Sequence, residues 1–205
     1  MTTLTRIEPA PYRVRAWKDG RVIVDSRRAK IGFGARPPNF WLFPKEDVSA
    51  PAEAIDAEHD GLVAVKWSAA DEWWEEDERV WGEHPRDPRH RVDVRQSSRH
   101  VVVSWQDTVI ADSHRPMLVF ETDLPIRYYL PRADVRFELL RRSALTTWCP
   151  YKGLAGYYDI AVGDARRPGA LWSYETPLVD TPPGLVGLIG IWHEKLTVTV
   201  DGATP

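Results

Sequence analysis

A chain of 205 residues with net charge −3, 43% hydrophobic and 28% charged, has the composition of a soluble globular protein. Its acidic and basic residues are interspersed, which offers no electrostatic footprint for nucleic acid or an anionic membrane. One cysteine, Cys149, excludes an intramolecular disulfide and a Cys-rich zinc site.

The first residues carry no apolar signal core. The longest apolar run, Gly184 to Trp192, falls far short of the roughly 20 residues that a spanning helix needs. A cytoplasmic protein is the expectation. Ten Trp and 17 Pro point to rigid aromatic clusters and to many turns between short strands.

In chain order, Tyr12 to Trp17 alternates, meets Asp19-Gly20, and continues as Arg21 to Val24. An Asp-Gly pair between two such runs is a strong hairpin signal, because both central residues need positive φ. Strands are predicted at Asn39–Phe43 and Gly61–Trp67. A short helix is predicted over Ser49 to Glu58, with Pro51 in its first turn. The run Asp71–Glu78 reads as a solvated acidic face or as the partner of Arg86, Arg89, Arg91 and Arg95. His84, Asp87 and His90 match no metal-ligand spacing, and no metal or cofactor is expected.

Arg91 to Val94 reads as a strand able to complete a first unit. Arg99–Trp105 and Thr108–Ala111 then repeat the first hairpin without its glycine, so a different turn is expected there. Further strands are predicted at Pro116–Phe120, Ile126–Leu130, Ala170–Tyr174, Val186–Trp192 and Lys195–Val200, with a single helical turn beginning at Arg132.

The segment from Trp17 returns from Trp105, one residue shorter, and the match runs on through Asp25-Ser26/Asp112-Ser113, Phe33/Phe120, Pro38/Pro125, Pro44/Pro131 and Asp47-Val48/Asp134-Val135. The chain is therefore read as mainly β, with two tandem similar units over 1–95 and 96–205. After Val48 and Val135 the copies part. The second contains Cys149-Pro150-Tyr151-Lys152-Gly153, and the first has no counterpart.

Two roles fit Cys149. As a nucleophile or redox thiol it would need a nearby cation, which Lys152 offers; otherwise it is a small buried apolar residue. Lys152 in turn suits either an anionic group or a structural salt bridge. Arg115, Tyr128, Trp148, Tyr151, Tyr157, Trp172 and Tyr174 are the candidates to line an aromatic-walled pocket beside that loop, or else to fill a core. There is no Gly-x-Ser-x-Gly elbow and no dinucleotide fingerprint.

Asp112-Ser113 with Arg115-Pro116, Tyr128-Tyr129-Leu130-Pro131 with Asp134-Val135, Thr147 to Gly153, and Trp172-Ser173-Tyr174 together carry a resemblance. The segments Trp74 to Glu78 and His84 to Pro88 with Arg91-Val92-Asp93 resemble two-copy members of the same family. The chain resembles the domain-of-unknown-function family 427, sometimes labelled nucleotidyltransferase-like. The resemblance implies small coiled antiparallel β-sheets, similar to the β-tent of methionine sulfoxide reductase B and the cereblon ligand-binding domain. It brings no activity, and the glycine loop and metal-binding Asp motif of nucleotidyl transfer are missing here. The function expected is binding of a small molecule in an aromatic-lined pocket of the second unit, with no nucleic-acid or membrane partner. The alternatives are an enzyme using Cys149 and a structural or interaction module.

Overall fold

The structure, a computed structural model, describes residues 4–34, 39–178 and 181–205. Pro38, matched above to Pro125, lies outside them. The chain separates into two compact units, Met1–Pro88 and Arg89–Pro205.

The first unit holds β1 (Leu4–Pro9), β2 (Val14–Lys18), β3 (Arg21–Ser26), β4 (Lys30–Gly34), β5 (Phe40–Pro44), β6 (Ile55–His59), β7 (Leu62–Val65), β8 (Glu72–Glu75) and β9 (Glu78–Arg79). They form two sheets, ordered β1-β4-β5-β7-β6 and β3-β2-β8-β9. The second unit holds β10 (Val92–Gln96), β11 (Val101–Trp105), β12 (Thr108–Ser113), β13 (Met117–Glu121), β14 (Arg127–Leu130), β15 (Leu140–Cys149), β16 (Gly153–Val162), β17 (Ala165–Thr176), β18 (Ile189–Ile191) and β19 (Thr197–Val200). Its sheets run β10-β13-β14-β18-β17-β16-β15 and β12-β11-β19. The fold is mainly β, in several small antiparallel sheets. Among the described residues the helical elements are three-residue 3-10 turns, and no helix is long and apolar enough to cross a membrane.

The cores follow from strand alternation. On β2, buried Val14 and Ala16 flank the half-buried Arg15, and they pack with Val24, Ile31 and Phe43. On β11, Val101 and Val103 face a core with Ile110, Ile160, Leu171 and Ile191. A smaller cluster gathers Val119, Tyr129, Ala155, Tyr174 and Leu185.

The hairpins β2–β3 and β11–β12 have the same register, closing at Lys18↔Arg21 and Trp105↔Thr108. By this register Trp17 corresponds to Ser104 rather than to Trp105, so the gap needed to align the two tryptophans has no counterpart in the backbone. The turns also agree: Asp19 and Gly20 have φ of 49° and 71°, Gln106 and Asp107 of 48° and 58°. The expected difference between them is absent, because Asp tolerates the left-handed region that Gly occupies freely.

Each hairpin is tied to a 3-10 turn, Lys45–Asp47 after β5 in the first unit and Arg132–Asp134 after β14 in the second. Ser26 Oγ donates to Asp47 Oδ2 at 2.7 Å, and Ser113 Oγ to Asp134 Oδ2 at 2.7 Å. Each serine also accepts the backbone N–H two residues on, Arg28 at 3.0 Å and Arg115 at 3.2 Å. Isolated bridges Val24↔Val48 and Ala111↔Val135 complete the two ties.

Other expectations changed. Pro51 precedes only a 3-10 turn, Ala52–Ala54, and the rest of the expected helix is strand β6. The acidic run is itself a β-ribbon: β8 turns the indole of Trp73 inward, while Asp71 pairs with Lys18 at 2.6 Å and Asp77 with Arg15 at 2.8 Å. β10, read as completing the first unit, pairs instead with β13. β15 forms one edge of the seven-stranded sheet, and its register with β16 breaks between Arg142 and Thr146.

Candidate functional site

β15 and β16 meet at the segment that the sequence singled out. Cys149 lies opposite Gly153, and the Lys152 N–H donates to the Cys149 carbonyl at 3.3 Å. Gly153 has φ +94°, and a Cβ there would collide with the Thr176 carbonyl oxygen. Glycine is thus required both for conformation and for the close approach of backbone.

This turn drives the Lys152 side chain inward, where Nζ meets Glu121 Oε1 in a hydrogen-bonded ion pair. His90 Nε2 stands 3.6 Å from Glu121 Oε2, beyond the ordinary hydrogen-bond distance. The His90 ring stacks on Tyr151 at 4.1 Å between centroids. Burial alone would raise the Glu121 carboxyl, but His90 and Lys152 outweigh it and hold the group below the usual carboxylate range. The charge of Lys152 is directed at Glu121. Cys149 is half-buried and packs against the smaller cluster.

The predicted aromatics divide between environments. Tyr157 and Trp172 pack with Cys149 against the cluster of Tyr129 and Tyr174, and Trp172 Nε1 donates to Tyr129 Oη at 2.9 Å. Burial pushes both the Tyr129 and the Tyr174 phenols up, so each stays protonated at any ordinary pH. Lys152 Nζ lies 5.7 Å from the Tyr174 ring centre. Tyr128 belongs to the larger core and packs beside His193, rings 5.2 Å apart. Trp148 is half-buried on β15. Arg115 is exposed and makes two hydrogen bonds to Asp134, at 2.7 and 3.0 Å. The turn, the ion pair and the Tyr–Trp cluster are contiguous, and Arg115 serves the serine tie instead.

Sequence reading did not single out Glu121, weighed His90 only as a metal ligand, and named Tyr129 only within the family motif. Glu121 ends β13 after the apolar run Met117 to Phe120, and a carboxylate so placed is the only early signal of a buried partner for Lys152. It also missed a network on the same sheet, in which Tyr158 Oη donates to Glu175 at 2.9 Å and accepts from Arg142 at 2.9 Å.

A cavity of about 720 Å³ lies in the first unit. Its walls include Phe40, Trp41, Trp67 and Trp73, drawn from β5, from the 3-10 turn Trp67–Ala69 and from β8. The three indoles pack together, with centroids 5.1 to 5.5 Å apart. Trp73 Nε1 donates to the Trp67 carbonyl at 3.0 Å. Trp41 Nε1 is buried and has no acceptor among the described residues. Asp56, Glu58, Lys66 and Glu83 supply the charged part of the lining, and His59 adds an imidazole. Glu58 is paired with Lys45 at 2.6 Å, and the Lys66 ammonium donates to the Glu53 carbonyl at 2.7 Å.

The profile of the family described as Domain of unknown function (DUF427) matches residues 93–202. The chain belongs to that family. No curated protein matches the chain. The DUF427 match takes in Glu121, Tyr129, Cys149, Lys152, Trp172 and Tyr174; His90 and the Trp-lined cavity lie before it. The family assignment thus accounts for the second unit's scaffold and carries no activity with it.

Proposed function

We propose that the protein binds a small organic molecule and that the first-unit cavity receives it. The observation carrying this reading is Trp41. Its indole is 3% exposed and lines the cavity, yet its N–H has no acceptor among the described residues. A buried donor left unpaired costs about 1–3 kcal/mol, and a ligand acceptor would relieve that cost. An aromatic or aliphatic body suits the faces of Trp67 and Phe40, and the cavity's size is that of a drug-sized ligand. Three carboxylates against one lysine in the lining favour a neutral or cationic molecule over an anion.

A second reading keeps the ligand in the second unit. Trp148, Tyr157 and Trp172 are half-buried near the half-buried Cys149, and that partial exposure supports it.

A thermal-shift screen of metabolites separates the two. A ligand of the first unit binds about five- to tenfold more weakly to Trp41→Phe, the loss of roughly one hydrogen bond, and loses its wall in Trp67→Ala. A ligand that tolerates both substitutions but not Tyr157→Ala assigns the site to the second unit and overturns the first reading.

A further inference from the structure

His100, Asp112 and His114 offer three ligand atoms that all lie within 4.8 Å of one another. Their convergence follows from strand register. Val101 pairs with Ser113 and Val102 with Asp112, so His100 lies opposite His114 on the next rung. Alternation then puts His100, Asp112 and His114 on one face of the β11–β12 ladder. His100 Nε2 is 2.8 Å from Asp112 Oδ1, and the two imidazoles are stacked with centroids 4.0 Å apart. The backbone of His100 is pinned from the other side. Its N–H donates to Asp201 Oδ1 at 2.9 Å, and its carbonyl accepts the Asp201 N–H at 2.9 Å.

The first unit supplies an internal comparison. In the matching hairpin Val14 pairs with Ser26, so Arg13, Asp25 and Arg27 occupy the corresponding places. There the carboxylate is held by arginine: Arg13 Nε donates to Asp25 Oδ1 at 2.7 Å. The guanidinium hydrogen bonds keep the Asp25 carboxyl below its ordinary range. A purely structural ion pair is therefore met at this position by Arg–Asp. In the second hairpin the carboxylate is kept and both arginines are replaced by histidines. Arginine cannot ligate a metal, whereas neutral imidazole is among the commonest ligands.

We infer that His100, Asp112 and His114 form a binding site for a divalent first-row transition-metal ion such as Zn²⁺. Two imidazole nitrogens and a carboxylate oxygen are a borderline donor set suited to zinc, nickel or copper rather than to calcium or magnesium. The donor atoms already lie within 4.8 Å of one another, against the roughly 3.4 Å between ligands that bonds of about 2.0–2.2 Å give at a tetrahedral centre. Three protein donors leave the fourth position to water. That is the ligand count of an open site, not of a closed structural one. Nothing in this assignment depends on the Trp-lined cavity.

The test is calorimetric titration of the full, tag-free chain with Zn²⁺. The expected result is one saturable equivalent, weakened in His100→Gln/His114→Gln by more than the roughly 10–100-fold that accompanies loss of a mere outer-sphere partner. In NMR spectra Zn²⁺ shifts the ring resonances of His100 and His114 and leaves those of His59 and His90 in place. No saturable binding, or binding unchanged in the double variant, overturns the assignment. Should the double variant lose its β circular dichroism, His114→Gln alone, at an exposed side chain, decides by the same criterion.

Discussion

Lys152 and Glu121 meet with side chains only 7% and 6% exposed, which makes theirs the most deeply buried ion pair described in the second unit. Removing one partner strands the other charge. Lys152→Ala is expected to cost about 3–5 kcal/mol in chemical denaturation, and Lys152→Met with Glu121→Leu to recover most of it. A double variant no better than the single one would mean that the pair is not buried as described.

Gly153 holds the turn that aims Lys152. Gly153→Ala forces an L side chain into φ +94° and a Cβ against the Thr176 carbonyl. A loss of at least about 2 kcal/mol is expected, since strain in that region alone costs of order 1–3 kcal/mol. Denaturant midpoints of the purified variant check it.

The two hairpin turns allow an exchange experiment. Asp107 occupies the left-handed position that Gly20 occupies in the first unit. Asp107→Gly is expected to raise stability by up to about 1 kcal/mol, and Gly20→Asp to lower it by a similar amount. A Cβ at Gly20 meets nothing within 4 Å, so any loss there is conformational rather than steric. Thermal melts of the two variants should move in opposite directions.

Glu194 gives a pH dependence of definite sign. Two hydrogen bonds from the Arg127 guanidinium, 2.8 Å each, hold its carboxyl down to about 2. A depressed acid favours the folded state above its unfolded pKa, about 4.3, and that contribution is lost as pH falls from there to about 2. The carboxylate is 55% exposed, so solvent screens the effect and it is small. In a side-chain NMR titration, Arg127→Met should raise the Glu194 midpoint towards the ordinary value. An unmoved midpoint would show that the guanidinium does not set it.

The sequence made the hairpins legible because their signals are local. Asp19-Gly20 marks the first turn, and apolar alternation marks β2, β3, β11 and β12. The long strands β15 and β16 were missed for the opposite reason. β15 is solvent-facing along most of its length and reads as polar chain, and β16 carries Gly156 where the Arg142 guanidinium crowds the backbone. Matching Trp17 to Trp105 rewarded an identity that the backbone register does not share. Of the aromatics named beside Cys149, Tyr157, Trp172 and Tyr174 share its cluster while Tyr128 belongs to the larger core, a division that sequence does not show. The Trp-lined cavity was invisible because Trp41, Trp67 and Trp73 converge only through tertiary structure. The pairing of His100 with His114 was within reach, since strand register alone puts them on one rung.

The break in register on β15 bears on edge-to-edge pairing between chains. An edge strand of ten residues presents a row of backbone donors and acceptors that a second chain can extend into a continuous sheet. β15 has an exposed Leu145 at that edge, which adds apolar attraction. The interruption between Arg142 and Thr146 breaks the backbone ladder, and irregularities of this kind turn an edge away from a pairing partner. Straightening that stretch would offer an incoming chain a longer unbroken run of backbone groups, so its irregularity works against edge-to-edge pairing.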